Sequence, residues 1–443
     1  MRNIKMKSER IYLDYAATTP VDPAVLRAMK PYFSEKFGNA GSLHSFGQEA
    51  IAAVDQSREI ITKAIGAEFR EVIFTSSATE ANNLALRGIV EGCRVQGAGY
   101  SHKGLNPKPH PLSPRVIVSC IEHESVLETA RDLERSGVEV VYLPVDRNGI
   151  VDLKKLKAAL NENTILVSVM YVNNEIGTVQ PIVDIAEIIQ NFRRAKSSQA
   201  IPHTLNPIPY FHTDASQAFQ FFDCDVKKLG VDLMTLSSHK IYGPKGAAAL
   251  YIRNHGVSRG HGSTEKQDKR ILPTTYYLLP TSVGGGQEFG LRSGTENVSA
   301  IVGFGRAVQL LSNSRELESK KTAVVCDEFW RDIKKIYPRA QINGVFSNVP
   351  RTTYEVPLRA PHILNIHFPG HDAQDILTRL DLAGIAASSG SACRSRAMES
   401  SYVIEALGYS KTRAKSSIRF SFGCPTTKGE INVALKVLKQ ILK

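Results

Sequence analysis

No apolar run in this chain approaches the ~18 residues that a membrane-spanning helix needs. The N-terminus, Met1-Arg2-Asn3-Ile4-Lys5-Met6-Lys7, is basic but has no apolar stretch of the kind a signal peptide carries. The six cysteines (Cys93, Cys120, Cys224, Cys326, Cys393, Cys424) include no close pair, which argues against a disulfide scaffold, a zinc ribbon or any other metal set. A reducing cytoplasm is the expected setting. Internal repeats and heptads are absent too. The net charge of +12 crowds into segments that read as loops, such as 253–269. It does not line one helix face or alternate with aromatics, so direct nucleic-acid binding is not expected. Such loops are solvated surface, or they steer an acidic protein partner or an RNA acceptor.

What remains is an ordinary soluble composition, 42% apolar and 22% charged, at a length of 443 residues that implies about two domains. From about residue 70 to 253, β-rich runs alternate with amphipathic stretches: 71–75 before 79–89, 116–119 before 125–135, 138–143 before 153–160. The run Thr164-Ile165-Leu166-Val167-Ser168-Val169-Met170 is apolar at nearly every position, as in a strand covered on both faces. This pattern predicts an α/β domain with a largely parallel sheet, whose ligands bind beyond the carboxyl ends of the strands. Segments 97–114, 196–209 and 255–280 break the rhythm and read as surface insertions. After Gly303 a long helix is expected over about 307–336, and the last third reads as a smaller α+β domain closed by a helix over 428–442.

Asp214-Ala215-Ser216-Gln217 and Ser237-Ser238-His239-Lys240 each follow a β-rich run. A carboxylate and an amine at the ends of neighbouring strands suit pyridoxal phosphate. That cofactor needs an amine for a Schiff base and a carboxylate to keep its ring nitrogen protonated. Ser76-Ser77-Ala78-Thr79-Glu80 lies where a strand turns into a helix, as a phosphate site or an ordinary cap. His123 ends another strand, where an imidazole can stack on a ring and move protons or serve structure alone. Asn173-Asn174-Glu175 follows the most apolar run. Gly284-Gly285-Gly286-Gln287 and Arg292-Ser293-Gly294-Thr295 read as a hinge or a second phosphate contact. Arg419, inside a strand-like run, calls for an anion such as a substrate carboxylate. Cys393 sits in Ser388-Ser389-Gly390-Ser391-Ala392-Cys393-Arg394-Ser395-Arg396, small and polar surroundings in which the arginines favour its thiolate.

With Tyr12-Leu13-Asp14-Tyr15-Ala16-Ala17-Thr18-Thr19-Pro20, Val172-Asn173-Asn174-Glu175-Ile176-Gly177 and Ser238-His239-Lys240-Ile241-Tyr242-Gly243-Pro244-Lys245-Gly246, the chain resembles the pyridoxal-phosphate cysteine desulfurases. These belong to the class V aminotransferase group, of fold type I. The resemblance runs from about Tyr12 to Gly423. The cysteine segment and Tyr402-Val403-Ile404-Glu405-Ala406-Leu407-Gly408 are similar to the subgroup with a long catalytic-cysteine loop.

The resemblance implies a large cofactor-binding domain over 21–295 and a small α+β domain over 1–20 and 296–443, carrying the cysteine loop. Lys240 would link to the cofactor, Asp214 would pair with its ring nitrogen and Gln217 would bond its ring hydroxyl. His123 would stack and transfer protons. Ala78, Thr79, Ser237 and His239 would hold the phosphate, with Thr295 reaching in from a second subunit of a homodimer. Asn174 would touch cofactor or substrate, Arg419 with Asn39 would bind the carboxylate of L-cysteine, and Cys393 would take the sulfur. The acceptor would be an iron–sulfur scaffold or a tRNA-thiolation enzyme, and the sister activity is selenocysteine lyase. Alanine replaces the usual proline after Asn39, Ser400 a frequent loop proline, and Arg394 and Arg396 replace small or hydroxyl residues. The chain ends soon after its closing helix, without the extended tail by which some members dock the scaffold.

Overall fold

The structure is a computed structural model that describes residues 10–97, 114–197, 209–253, 278–345, 358–390 and 400–443. The expected insertions lie almost wholly outside the described residues, and Cys393, Arg394 and Arg396 lie outside them entirely. The strands are β1 (Ile11–Tyr12), β2 (Val72–Thr75), β3 (Arg115–Ser119), β4 (Glu139–Leu143), β5 (Thr164–Ser168), β6 (Tyr210–Asp214), β7 (Leu233–Ser237), β8 (Ala248–Ile252), β9 (Gln341–Ile342), β10 (Ile363–His367), β11 (Ile385–Ala386) and β12 (Ser417–Ser421).

Seven of them form one sheet in the order β2-β8-β7-β6-β5-β3-β4. The pairs from β7 to β4 are all parallel, and β8 runs antiparallel to both β2 and β7. Every residue of β5, β6 and β7 is buried. Strands so placed, with helices on both faces, have no solvent-facing side to alternate, and β5 accordingly is apolar between Thr164 and Ser168. Because β8 reverses, β2 points the same way as β3, β5, β6 and β7, so their carboxyl ends share one edge.

A second core gathers Leu13, Phe329, Phe368, Phe420 and Phe422 around the three-stranded sheet β12-β10-β9 and the closing helix Lys428–Ile441. That helix starts in a reciprocal cap between Thr427 and Glu430. N-terminal residues join this core: β1 pairs with β11, and Asp14 bridges to Ser421.

The long helix begins at Val298, nine residues before the expected start, and runs to Ile336 with Asn297 as its cap. The expected start lay beyond Gly303, but Gly303 is inside the helix and serves its packing. A Cβ on Gly303 would lie 2.6 Å from the sulfur of Met29, and one on Gly305 would lie 2.9 Å from Ser57 Cβ. Close helix approach, not a turn, explains both glycines.

Candidate active site

Each carboxyl end on the shared edge delivers at least one residue to a cavity of about 240 Å³. After β2 the chain turns through Ser76 and Ser77 into the helix Ala78–Gly97, whose first residues Ala78 and Thr79 line the cavity, at the end where a helix has unpaired N–H groups. After β3, His123 caps the helix Glu124–Arg135, and its Nδ1 meets Ser125 Oγ at 2.8 Å. Asn174 follows β5. Asp214 is the last residue of β6, and Lys240 ends the single helical turn Ser238–Lys240 after β7. Two residues on, Tyr242 takes a left-handed φ of 64°, an uncommon conformation that is held by Thr19 Oγ1 accepting its N–H at 2.8 Å.

Asp214 is fixed from two sides. Asn82 Nδ2 donates to Oδ2 at 2.8 Å and the Ser216 N–H donates to Oδ1 at 2.9 Å. Lys240 Nζ donates to the carbonyls of Ala16 and Ala17. Gln217 is pinned as well: its Nε2 donates to Ala16 O at 2.9 Å, and its Oε1 faces His362 Nε2 at 3.2 Å. Burial pushes the His362 imidazole down to about 3, so its ring is neutral. Burial, with Lys240 beside it, likewise pushes His239 to about 3, and burial holds His123 below the usual histidine range.

Arg419 reaches the cavity from the middle of β12, and its anion is one the sequence reading did not name. Its Nη2 pairs with Asp14 Oδ1 at 2.7 Å while Nη1 donates to Asn174 O at 2.8 Å. Its Nε has no hydrogen-bond partner among the described residues, which leaves the fork incomplete. Buried Asn174 Oδ1, Ser216 Oγ and Ser237 Oγ have none either, and all three residues line the same cavity. Buried polar atoms without partners are costly and call for a polar ligand.

Ala78, Thr79, His123, Asn174, Asp214, Gln217, Ser237, His239, Lys240 and Arg419 all line this cavity. Thr295 and Asn39 do not. Thr295 is exposed after the glycine-rich turn, and exposed Asn39 uses its Oδ1 to accept the Gly41 N–H at 2.9 Å. Ser77, Ser125, Met170, Val172 and Ser216 also line it, although the sequence reading assigned them no role there.

The residues fit pyridoxal phosphate. An amine faces a carboxylate across the cavity, a helix N-terminus offers donors for a dianion, and partnerless hydroxyls stand near it. The fold and site together define a pyridoxal-phosphate enzyme of the doubly wound kind. The aminotransferase class-V family model matches residues 11–433, and the chain belongs to that family. Cysteine desulfurase IscS of Dictyoglomus turgidum is 40% identical over 438 residues, covering 99% of this chain and 95% of that one. Its namesake in Rickettsia massiliae is 39% identical over 97% of this chain and 90% of its own length. Among solved structures, a NifS-like protein at 31% identity superposes with a TM-score of 0.78, covering 98% of this chain and 99% of its own. SspA in complex with cysteine, also 31% identical, has a TM-score of 0.67 and covers 94% of this chain and all of its own.

Beneath His123 lies Glu122, fully buried, with Oε1 accepting the Met170 N–H at 2.7 Å. Burial pushes its carboxyl up to about 8. Between roughly pH 4.5 and 8 the unfolded chain releases a proton that the folded chain keeps. Stability from this group is therefore present below about pH 4.5 and lost as pH rises through 8. Glu122→Gln, neutral at every pH, should melt progressively higher than the parent protein from pH 5 to 8.5, by a few degrees at the top. Parallel melting curves for the two proteins across that range would count against a buried protonated Glu122.

Proposed function

We propose a division of labour within this enzyme, a pyridoxal-phosphate-dependent cysteine desulfurase, as its relatives at 37–40% identity are. When bound, pyridoxal phosphate supplies the electron-withdrawing ring that acidifies the amino acid's Cα–H and lets its sulfur depart. The chain supplies the rest. Lys240 would hold the cofactor covalently through its amine, and that amine, which lines the cavity, would be placed to carry a proton. Asp214, held by Asn82 and Ser216, would keep the ring nitrogen protonated, and Gln217 would bond the ring hydroxyl. His123, which burial holds below the usual histidine range, would lie against the ring and accept a proton. The turn at Ala78 and Thr79, with Ser237 and His239, holds the phosphate. Arg419, whose Nε has no partner among the described residues, binds the substrate carboxylate, and Asn174 steadies that guanidinium through its carbonyl.

Cys393 takes the sulfur: L-cysteine and the Cys393 thiol give L-alanine and a Cys393 persulfide. The other five cysteines support this choice by contrast, because none lines the cavity. Burial pushes Cys93 and Cys224 up to about 12 and Cys326 and Cys424 up to about 11, and raises Cys120. A thiol that remains protonated and enclosed is a poor nucleophile.

The single observation that carries the reading is the convergence of Lys240, Asp214, His123 and Arg419 on one cavity. Incubation of the full chain with pyridoxal phosphate, L-cysteine and dithiothreitol should yield alanine and sulfide in equal amounts. Sulfide without alanine would overturn it.

Further parts of the proposal concern assembly and setting. The 21–295 region forms the large domain, and 1–20 with 296–443 forms the small one. The enzyme is a homodimer in which Thr295, exposed in one chain, completes the partner's phosphate site. Persulfide sulfur passes to an iron–sulfur scaffold or a tRNA-thiolation enzyme in the cytoplasm. No helix among the described residues is long and apolar enough to cross a membrane. Thr295→Ala should leave the melting curve of the apoprotein in place while weakening pyridoxal phosphate retention about tenfold, the worth of one or two phosphate hydrogen bonds. Equal retention on dialysis, or full activity in a sedimenting monomer, would remove Thr295 from the site.

A further inference from the structure

The glycine-rich stretch 284–295 lines no part of the cavity, yet it is fixed to the strand that feeds the phosphate turn. Its anchor is Glu288, buried in a bidentate pair with buried Arg58, both N–O contacts at 2.8 Å. β2 is the last strand on its side of the sheet among the described residues, and this ion pair completes its outer edge. Glu288 Oε2 accepts the Phe74 N–H at 2.8 Å, and Arg58 Nη1 donates to the Val72 carbonyl. The Arg58 guanidinium lies against the rings of Phe69, Phe74 and Phe289, its carbon 5.5, 4.7 and 4.9 Å from their centroids. Glu288 and Phe289 take left-handed φ values of 49° and 59°. That conformation costs energy in residues with side chains and persists only where the surroundings impose it.

Four residues past Glu288, Arg292 Nε donates to Glu80 Oε1 at 2.8 Å. The other oxygen, Oε2, accepts the Ser76 N–H and the Ser76 hydroxyl, each at 2.6 Å, and the Glu80 N–H donates to Ser77 Oγ at 3.2 Å. Glu80 thus ties down the turn whose residues Ser77, Ala78 and Thr79 line the cavity, while neither Glu80 nor Arg292 does. The brace carries a difficulty. A carboxylate next to Thr79 in the first helical turn puts a negative charge beside the seat of a phosphate dianion. Burial disfavours that charge, but the hydrogen bonds from Arg292 and Ser76 prevail and hold the carboxyl below its usual range.

We propose that Arg292 is a positioning residue for the cofactor phosphate: it neutralises Glu80, so that this carboxylate braces Ser76 without repelling the dianion held at Ala78 and Thr79. The anchor at Glu288 keeps Arg292 within reach. The inference rests on the turn at Ala78 and Thr79 being the seat of the phosphate. It requires a charge effect that is confined to ligands carrying phosphate and reversed when the acid is removed. The test titrates full-length apoprotein, as the parent, Arg292→Ala, Glu80→Gln and the double variant. The ligands are pyridoxal phosphate and pyridoxal, which lacks the phosphate, and equilibrium dialysis gives the dissociation constants.

Arg292→Ala should weaken pyridoxal phosphate about tenfold and pyridoxal by less than about twofold. Adding Glu80→Gln should restore the affinity to within about threefold of the parent, because the amide oxygen still accepts from Ser76 and carries no charge. Glu80→Gln alone should cost no more than about twofold. The rescue also separates this effect from a displaced Thr295, which removing the acid would not repair. Equal weakening of both ligands would make Arg292 a support of the whole site. A double variant no better than Arg292→Ala would mean that charge is not the reason, and unchanged affinity would make the contact incidental. Each of these results overturns the inference. If Arg292→Ala fails to fold, Arg292→Gln removes the charge at similar length and carries the test. Thr79→Val, run alongside, tests the underlying reading separately: it should weaken pyridoxal phosphate and spare pyridoxal. If it spares both, the phosphate sits elsewhere. If it weakens pyridoxal phosphate alone while the rescue fails, only the role of Arg292 falls.

Discussion

A Lys240→Ala protein will emerge without covalently held pyridoxal phosphate, will resist borohydride labelling, and will turn over L-cysteine at least about a thousandfold more slowly. The argument is one of placement. Lys240 ends a single turn after β7 and holds its ammonium on the carbonyls of Ala16 and Ala17, which brings the N-terminal stretch over the sheet edge. The Asp214 carboxylate on neighbouring β6 is held independently by Asn82 and Ser216, and Gln217 by Ala16 and His362. Truncating Lys240 therefore leaves the cradle standing, and cofactor may still soak in reversibly without a covalent bond. Absorbance after dialysis, with mass spectrometry after borohydride, separates the two cases. A borohydride-stable adduct in the variant would move the attachment to another amine.

Much of this was legible before any coordinates, and the reasons differ from residue to residue. β5 announces itself because a strand buried on both faces has no polar side to alternate. Asp214 and Lys240 are a weak signal by themselves, since most Asp and Lys residues are solvated surface groups, and they gain weight only from the motifs around them. Thr295 and Asn39 came from family likeness, and a single chain leaves both outside the cavity. Other contacts were hidden by distance along the chain. Asn82 reaches Asp214 across 132 positions and His362 reaches Gln217 across 145, and no local pattern signals such pairings. Asp14 was in view within the Tyr12–Pro20 motif, but nothing in sequence tells that it, and not only a substrate, would satisfy Arg419. The start of the long helix was placed nine residues late because Gly303 and Gly305, which lie inside it and let two elements touch, carry no local sign of helix.

Cys393→Ser should separate cofactor chemistry from sulfur transfer. The variant keeps every group that lines the cavity, so it should load pyridoxal phosphate normally and change its absorbance when L-cysteine is added. It should then stall, since a hydroxyl is a far weaker nucleophile toward sulfur than a thiolate. Sulfide release should drop at least about a hundredfold, and no persulfide should appear on the intact protein by mass spectrometry. The five remaining cysteines cannot substitute: Cys93, Cys224 and Cys326 are buried, and Cys120 and Cys424 are half-buried away from the cavity. Normal cysteine turnover in Cys393→Ser would overturn the assignment of the nucleophile. Selenocysteine distinguishes the sister reaction, because selenium leaves more readily than sulfur and depends less on an attacking thiol. If Cys393→Ser loses cysteine turnover yet retains nearly full activity on L-selenocysteine, the cavity is doing selenocysteine lyase chemistry and Cys393 is an added specialisation for sulfur. If both activities fall together, the thiol is integral to the site, as expected for an enzyme whose product is a persulfide.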